Sequence, residues 1–145
     1  MTPPRIRVAA YVIRRHPSPA LLVFDHVDAP EAGTQVPAGG VGPGEDPVRA
    51  VVREVAEETG LTGGTVVRRL GVEDRPHPDT GQPRRTTFFL LNAPPDAPEA
   101  WEHRVGGDGA DAGMRFTCRF AALPLAEPLA DGQDAWIGSV DPRWA

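Results

Sequence analysis

The chain has 145 residues, with 15 Lys plus Arg against 20 Asp plus Glu and a formal net charge of −5. That length suits a single domain over 1–145 with a real core, and the acidic balance argues against long nucleic acid or an anionic membrane as a partner. The single Cys118 excludes an internal disulfide and suits a reducing cytoplasm, and neither a signal peptide nor a membrane-spanning apolar run is visible.

In chain order, Ile6–Ile13 reads as a buried strand and Ala20–Phe24 as a second, after a His16-Pro17-Ser18-Pro19 turn. His26–Thr34 is expected as a loop feeding the glycine-rich stretch Pro37–Gly44. Pro47–Thr59 is expected as a helix, with Asp46 as N-cap, Pro47 in the first helical position and Gly60 just past the end. Thr65–Leu70 and Thr86–Leu91 read as strands flanking a Pro-, Asp- and Arg-rich loop, Gly71–Arg85. Asn92–Gly113 is expected as a long loop, Met114–Leu123 as a further strand, and Asp131–Ile137 as a short helix. Strands on both sides of one helix predict an α+β layout with a mixed sheet.

Within the helix, Val48, Val51, Val52 and Val55 follow the i, i+3, i+4, i+7 rule and predict one apolar stripe. Glu54, Glu57 and Glu58 fall on another arc, on the order of 125° from that stripe. Three acids so close repel one another unless a cation sits among them, which proposes a site for a hard, oxygen-loving metal such as Mg2+. The glycine-rich loop before them lets backbone groups approach a ligand closely.

Gly39, Glu45, Arg53, Glu54, Val55, Glu57, Glu58, Gly60 and Leu61 fill every specified position of the Nudix box, so the chain resembles a MutT-like Nudix hydrolase. A solvated acidic face would explain Glu on a helix but not the fixed partners Gly39, Glu45, Arg53 and Gly60. The resemblance implies an α/β/α sandwich and Mg2+-dependent (or Mn2+-dependent) cleavage of a phosphoanhydride bond. The implied substrate is a nucleoside diphosphate linked to a moiety X, with noncanonical nucleoside triphosphates and ADP-ribose as alternatives, and a non-catalytic nucleotide-binding module as a second one. It implies Glu57, Glu58 and Glu54 as metal ligands, Glu54 being a ligand or a water-orienting base, with the Gly39 carbonyl completing the set. Glu45 and Arg53 are then expected to fix and neutralise these carboxylates.

Many such enzymes recruit a further acid, and here Glu99, Glu102, Asp108 and Asp111 qualify, with Asp111 and Glu102 foremost. Arg84 and Arg85 are candidates for a substrate phosphate or carboxylate, and Trp101 or Phe88 for stacking on a base. Pro76 falls fifteen residues after Leu61, a spacing resembling that of a proline in ADP-ribose-cleaving relatives. Gly42 stands where many members carry Glu, outside the required pattern, and no Gly-x4-Gly-Lys-Ser/Thr loop occurs.

Overall fold

The structure, a computed structural model, describes residues 2–145. Seven strands form one mixed sheet: β1 Arg5–Arg14, β2 Ala20–His26, β3 Ala38–Gly40, β4 Thr65–Asp74, β5 Arg84–Asn92, β6 Ala100–Arg104 and β7 Arg115–Ala122. Six lie in the order β4-β5-β1-β2-β7-β6, and β3 pairs with β1. Only β1 and β5 run parallel; the other pairings are antiparallel. One α-helix, α1, spans Pro47–Thr59.

The centre of the sheet explains where the site forms. β1 pairs with β5 along nearly its whole length, from Arg5↔Arg84 to Ile13↔Asn92. On its other edge, β2 reaches only Ile13 and Arg14, whereas β3 takes Arg7, Val8 and Ala9. β2 therefore splays from β1, and the glycine-rich segment fills the opening as a short strand. A single bridge, Phe24↔Gln35, ties the loop entering that opening to β2.

Alternation along β1 divides the core. Val8, Ala10 and Val12 face α1, packing with Val51, Val55, Phe89, Leu91, Phe116 and Cys118. Ala9, Tyr11 and Ile13 face the other way, against Phe88, Leu90, Leu129, Ile137 and Trp144. This second face is covered by 3-10 turns at Ala130–Gly132, Ile137–Ser139 and Pro142–Trp144, so the outer layer opposite α1 is built of turns. The short helix expected at Asp131–Ile137 is broken by Asp131, whose φ of 55° is not helical.

Several expected boundaries move. β4 continues to Asp74 and β5 begins at Arg84, so the loop between them shrinks to 75–83. The long loop expected at Asn92–Gly113 holds β6, an edge strand whose alternation is carried by Trp101 and His103 alone. The stretch His26–Thr34 contains a 3-10 turn at Pro30–Ala32. The helix ends match expectation: Asp46 accepts from Val48 N at 2.9 Å, and Gly60 caps the other end with φ 77°.

The expected apolar stripe on α1 is not the buried face. Val48 and Val52 are 42% and 44% exposed, while Ala50, Val51, Val55, Glu58 and Thr59 are buried. The buried arc is rotated by roughly 60° toward the acids, so Glu58 lies near its middle. Four valines at helical spacing show that an apolar arc exists. They do not show that a neighbouring carboxylate arc shares the burial.

Candidate active site

The site is assembled where α1 lies against β3 and the start of β1. Glu58 is only 5% exposed, and its Oε1 accepts from Ala38 N at 2.8 Å. Gly39 leaves room for the neighbouring carboxylate, because a Cβ there would fall 2.3 Å from the Glu54 carboxyl carbon. Any other residue at position 39 would have to displace Glu54.

Arg53 organises the rest. Its Nε and Nη2 hold Glu45 at 2.8 and 2.9 Å, Nη1 reaches Glu54 at 2.8 Å and Glu57 at 3.2 Å, and Nη2 also donates to Gly40 O at 2.8 Å. Glu45 in turn accepts from Gly42 N at 2.9 Å, so one arginine ties the glycine-rich loop to the helix. The Arg53 guanidinium, then the Gly42 amide, lower the Glu45 pKa to about 2. Burial, only partly offset by Arg53, raises Glu54. Glu58 is raised well above the usual carboxylate range, first by burial and then by the charge of Glu54.

Among the described residues, no three His, Cys, Asp or Glu stand in a ready-made metal-ligating arrangement. Glu54 and Glu57 are turned toward Arg53 instead. The donor chemistry nonetheless fits a hard divalent cation: all-oxygen ligands, one of them a buried carboxylate whose charge the protein leaves poorly compensated.

The β6–β7 hairpin closes one side. Gly106 N donates to Glu57 O at 2.9 Å, His103 Nε2 lies 3.0 Å from the same oxygen, and Trp101 Nε1 donates to Thr59 O at 2.7 Å. Asp111, at the hairpin end, is close enough for its charge to act on Glu58. Glu102 is not brought to the site: it is exposed and pairs loosely with Arg115 at 3.5 Å. Glu99 pairs with Arg14, and Asp108 is exposed in the hairpin turn.

The two arginines proposed for substrate separate to opposite faces of β5. Arg84 is buried and committed to the fold, pairing with Asp131 at 2.8 Å and donating to the carbonyls of Arg75 and Pro76, each at 3.1 Å. Arg85 is exposed and bound to Asp74 at 2.8 Å. Phe88 is a core residue packed on Tyr11 and Trp136 and presents no free stacking face, whereas Trp101 is half-buried on β6, set against Phe120 and bonded to Thr59 O. On the sheet face opposite α1 lies a cleft that sequence reasoning missed, lined by Arg7, Glu73, Arg75, Arg84, Asp131 and Gln133 among others. Its residues come from five separate parts of the chain, so no local motif announces it.

A mixed sheet split at β1, carrying a glycine-rich strand and a carboxylate helix in the opening, defines an α+β Nudix-type fold. The NUDIX domain profile matches residues 3–137, and the chain belongs to this family. A MutT NUDIX hydrolase from Burkholderia pseudomallei superimposes with a TM-score of 0.65 at 25% identity, covering 96% of this chain and 99% of that one. The NUDIX domain of Shewanella oneidensis NrtR, solved with ADP ribose, gives 0.72 at 16% identity over 100% of this chain and 91% of that one. The C. elegans Ap4A hydrolase gives 0.68 at 19% identity over 99% and 100%. At such identities the last two show a shared fold. An RNA pyrophosphohydrolase from Sphingopyxis alaskensis is 41% identical over 46 residues, 32% of this chain, and the match spans 29% of that relative's length.

Proposed function

We propose that the protein is a Mg2+-dependent pyrophosphohydrolase that cleaves a phosphoanhydride bond in a nucleoside diphosphate linked to a moiety X. The observation that carries this reading is the placement of Glu58: a carboxylate buried among apolar residues, with Glu54 beside it and one backbone donor to hold it. A structural helix gains nothing from a buried acid, whereas a cation site requires one. Glu57, Glu58 and Glu54 would hold the metal, with the Gly39 carbonyl completing the oxygen set.

When bound, divalent ions neutralise phosphate oxygens and make a bound water more acidic. The protein's own groups do the rest. Arg53 is paired with Glu54 and Glu57, which would turn from it to hold a cation while Glu45 keeps the guanidinium in place. Glu54, or Asp111 from the hairpin, accepts the proton of the attacking water. The buried thiol of Cys118 has its pKa raised to about 12, so it takes no part as a nucleophile and fits a reducing cytoplasm. Among the described residues no helix is long and apolar enough to cross a membrane.

The test is a hydrolysis screen over nucleoside triphosphates, nucleotide sugars, ADP-ribose, dinucleoside polyphosphates and capped RNA ends, with Mg2+ and with chelator. ADP-ribose and Ap4A belong in it because solved neighbours are described by them. Activity on one class, abolished by chelator and lowered by about two orders of magnitude or more in Glu58→Gln, supports the proposal. Near-normal turnover in that variant sinks the metal assignment. Binding without turnover across the whole screen would favour a nucleotide-binding module instead. Glu54→Gln and Asp111→Asn, compared at fixed substrate, separate the two proton acceptors.

A further inference from the structure

Among the arginines near the site, two have no carboxylate partner, Arg5 and Arg7, and of these only Arg7 is half-buried and lines the cleft. Arg53, Arg75, Arg84 and Arg85 each have a carboxylate partner. Arg7 is half-buried on β1, and among the described residues it makes neither a hydrogen bond nor an ion pair. A guanidinium carries five donors; those of Arg7 reach water but no protein acceptor, and its partial burial costs stability. Two neighbours make matters worse: after burial itself, Arg84 and Arg5 are the next causes that disfavour its charge.

Its position explains what would repay that cost. Arg7 lies opposite Gly40 of β3 on one side and Thr86 of β5 on the other. Its side chain lines the cleft with Ala38, Thr86, Arg84, Asp131 and Gln133. It is also near enough to feel the charge of Glu58 across the strand from Asp131. It thus stands between the box carboxylates and the cleft, with its donors open and no acid of its own.

We propose that Arg7 binds a phosphate of the substrate, holding the diphosphate beside the carboxylate cluster. The proposal rests on the pyrophosphohydrolase reading and deepens it. It names a residue outside the box as the anion anchor. Arg84 is committed to the fold instead, its Nε and Nη2 being taken by Asp131 and two carbonyls. Arg7 is a binding and positioning residue, so its loss should raise KM more than it lowers kcat.

Two measurements on the full chain test this. Imidodiphosphate, which is not hydrolysed, is titrated calorimetrically into wild type, Arg7→Lys and Arg7→Gln. Affinity should fall by about tenfold or more in Arg7→Gln, with Arg7→Lys in between, as expected for loss of a charge-assisted contact. Thermal melting without ligand is then compared for Arg7→Met and Arg84→Met. Arg7→Met should melt at or above the wild-type temperature, because an unpartnered half-buried charge has been removed. Arg84→Met should melt lower, because Asp131 is orphaned. Equal imidodiphosphate affinity in wild type and Arg7→Gln, or no measurable binding by wild type, overturns the proposal. So does marked destabilisation in Arg7→Met, which would make the residue structural. If Arg7-dependent binding is present but no substrate in the hydrolysis screen turns over, the activity reading fails and the anion site stands.

Discussion

At the scale of single residues, the carboxylates of α1 are held in tension. Glu58 sits in a buried setting that raises its pKa well above the usual range, and Glu54 moves the same way. A carboxyl with a raised folded-state pKa adds stability below its unfolded value, near 4.3, and loses it as pH rises through the folded value. The metal-free protein should therefore weaken as pH rises above the ordinary carboxylate range. Glu45 does not interfere, because its pKa is held at about 2 and its contribution is lost only on stronger acidification. In chelator, wild type should lose more melting temperature between about pH 5 and about pH 8 than Glu58→Gln does, and Mg2+ should narrow the difference. Parallel melting profiles for the two proteins would show that Glu58 is not a strained acid.

At the scale of elements, the β6–β7 hairpin is the part that the box alone does not supply. It holds the last turn of α1 through Glu57 O and Thr59 O, and it brings Gly107 against the Glu57 side chain. Gly107 has φ 78°, and a Cβ there would lie 2.6 Å from the Glu57 carboxyl carbon. Gly107→Ala should cost about 1 kcal/mol from backbone strain alone. Turnover should fall further than stability does, because Glu57 must shift. Gly109→Ala is the control, since its Cβ would meet nothing within 4 Å. Kinetics and melting of the two variants decide the matter; equal behaviour would show that the hairpin does not position Glu57.

The same elements show what was legible in the sequence. The helix ends were readable because capping is local chemistry: Asp46, Pro47 and Gly60 each act within a turn of their own position. The box residues were readable because their spacing is fixed by one helix and one loop. β6 was not, since an edge strand of Ala, Trp, Glu, His and Arg between proline- and glycine-rich runs carries little apolar signal. The helix face was misjudged because Val48 and Val52 are apolar yet exposed, and burial depends on what the sheet presents. The cleft with Arg7, Glu73, Asp131 and Gln133 was invisible for a further reason. Only the pairing of β5 with β1 and β4 and the return of the C-terminal turns bring those residues together.

At the scale of the whole molecule, the two faces of the sheet are closed by different means. α1 covers one face with its own hydrogen bonds already made, but the turns after Leu129 must find partners elsewhere. Tyr11 supplies the central one: its hydroxyl donates to Gln133 O and accepts from Trp136 N at 3.1 Å, in a setting that raises its pKa by burial. Gln133 Oε1 then accepts from Val36 N at 2.8 Å, while Trp136 Nε1 donates to Glu73 at 3.2 Å. One phenol thus links β1, the loop before β3, the edge strand and the C-terminal turns. Tyr11→Phe keeps the ring packing on Phe88 but leaves a buried carbonyl and amide without that partner, which should cost about 1–3 kcal/mol. In denaturant, the midpoint should fall with an unchanged slope, as for a local loss in a cooperative fold. Because Gln133 and Asp131 border the cleft, KM should rise as well. If Tyr11→Phe proves as stable as wild type, the turns are held by the burial of Leu129, Ile137 and Trp144 alone, and the cleft wall owes nothing to the phenol.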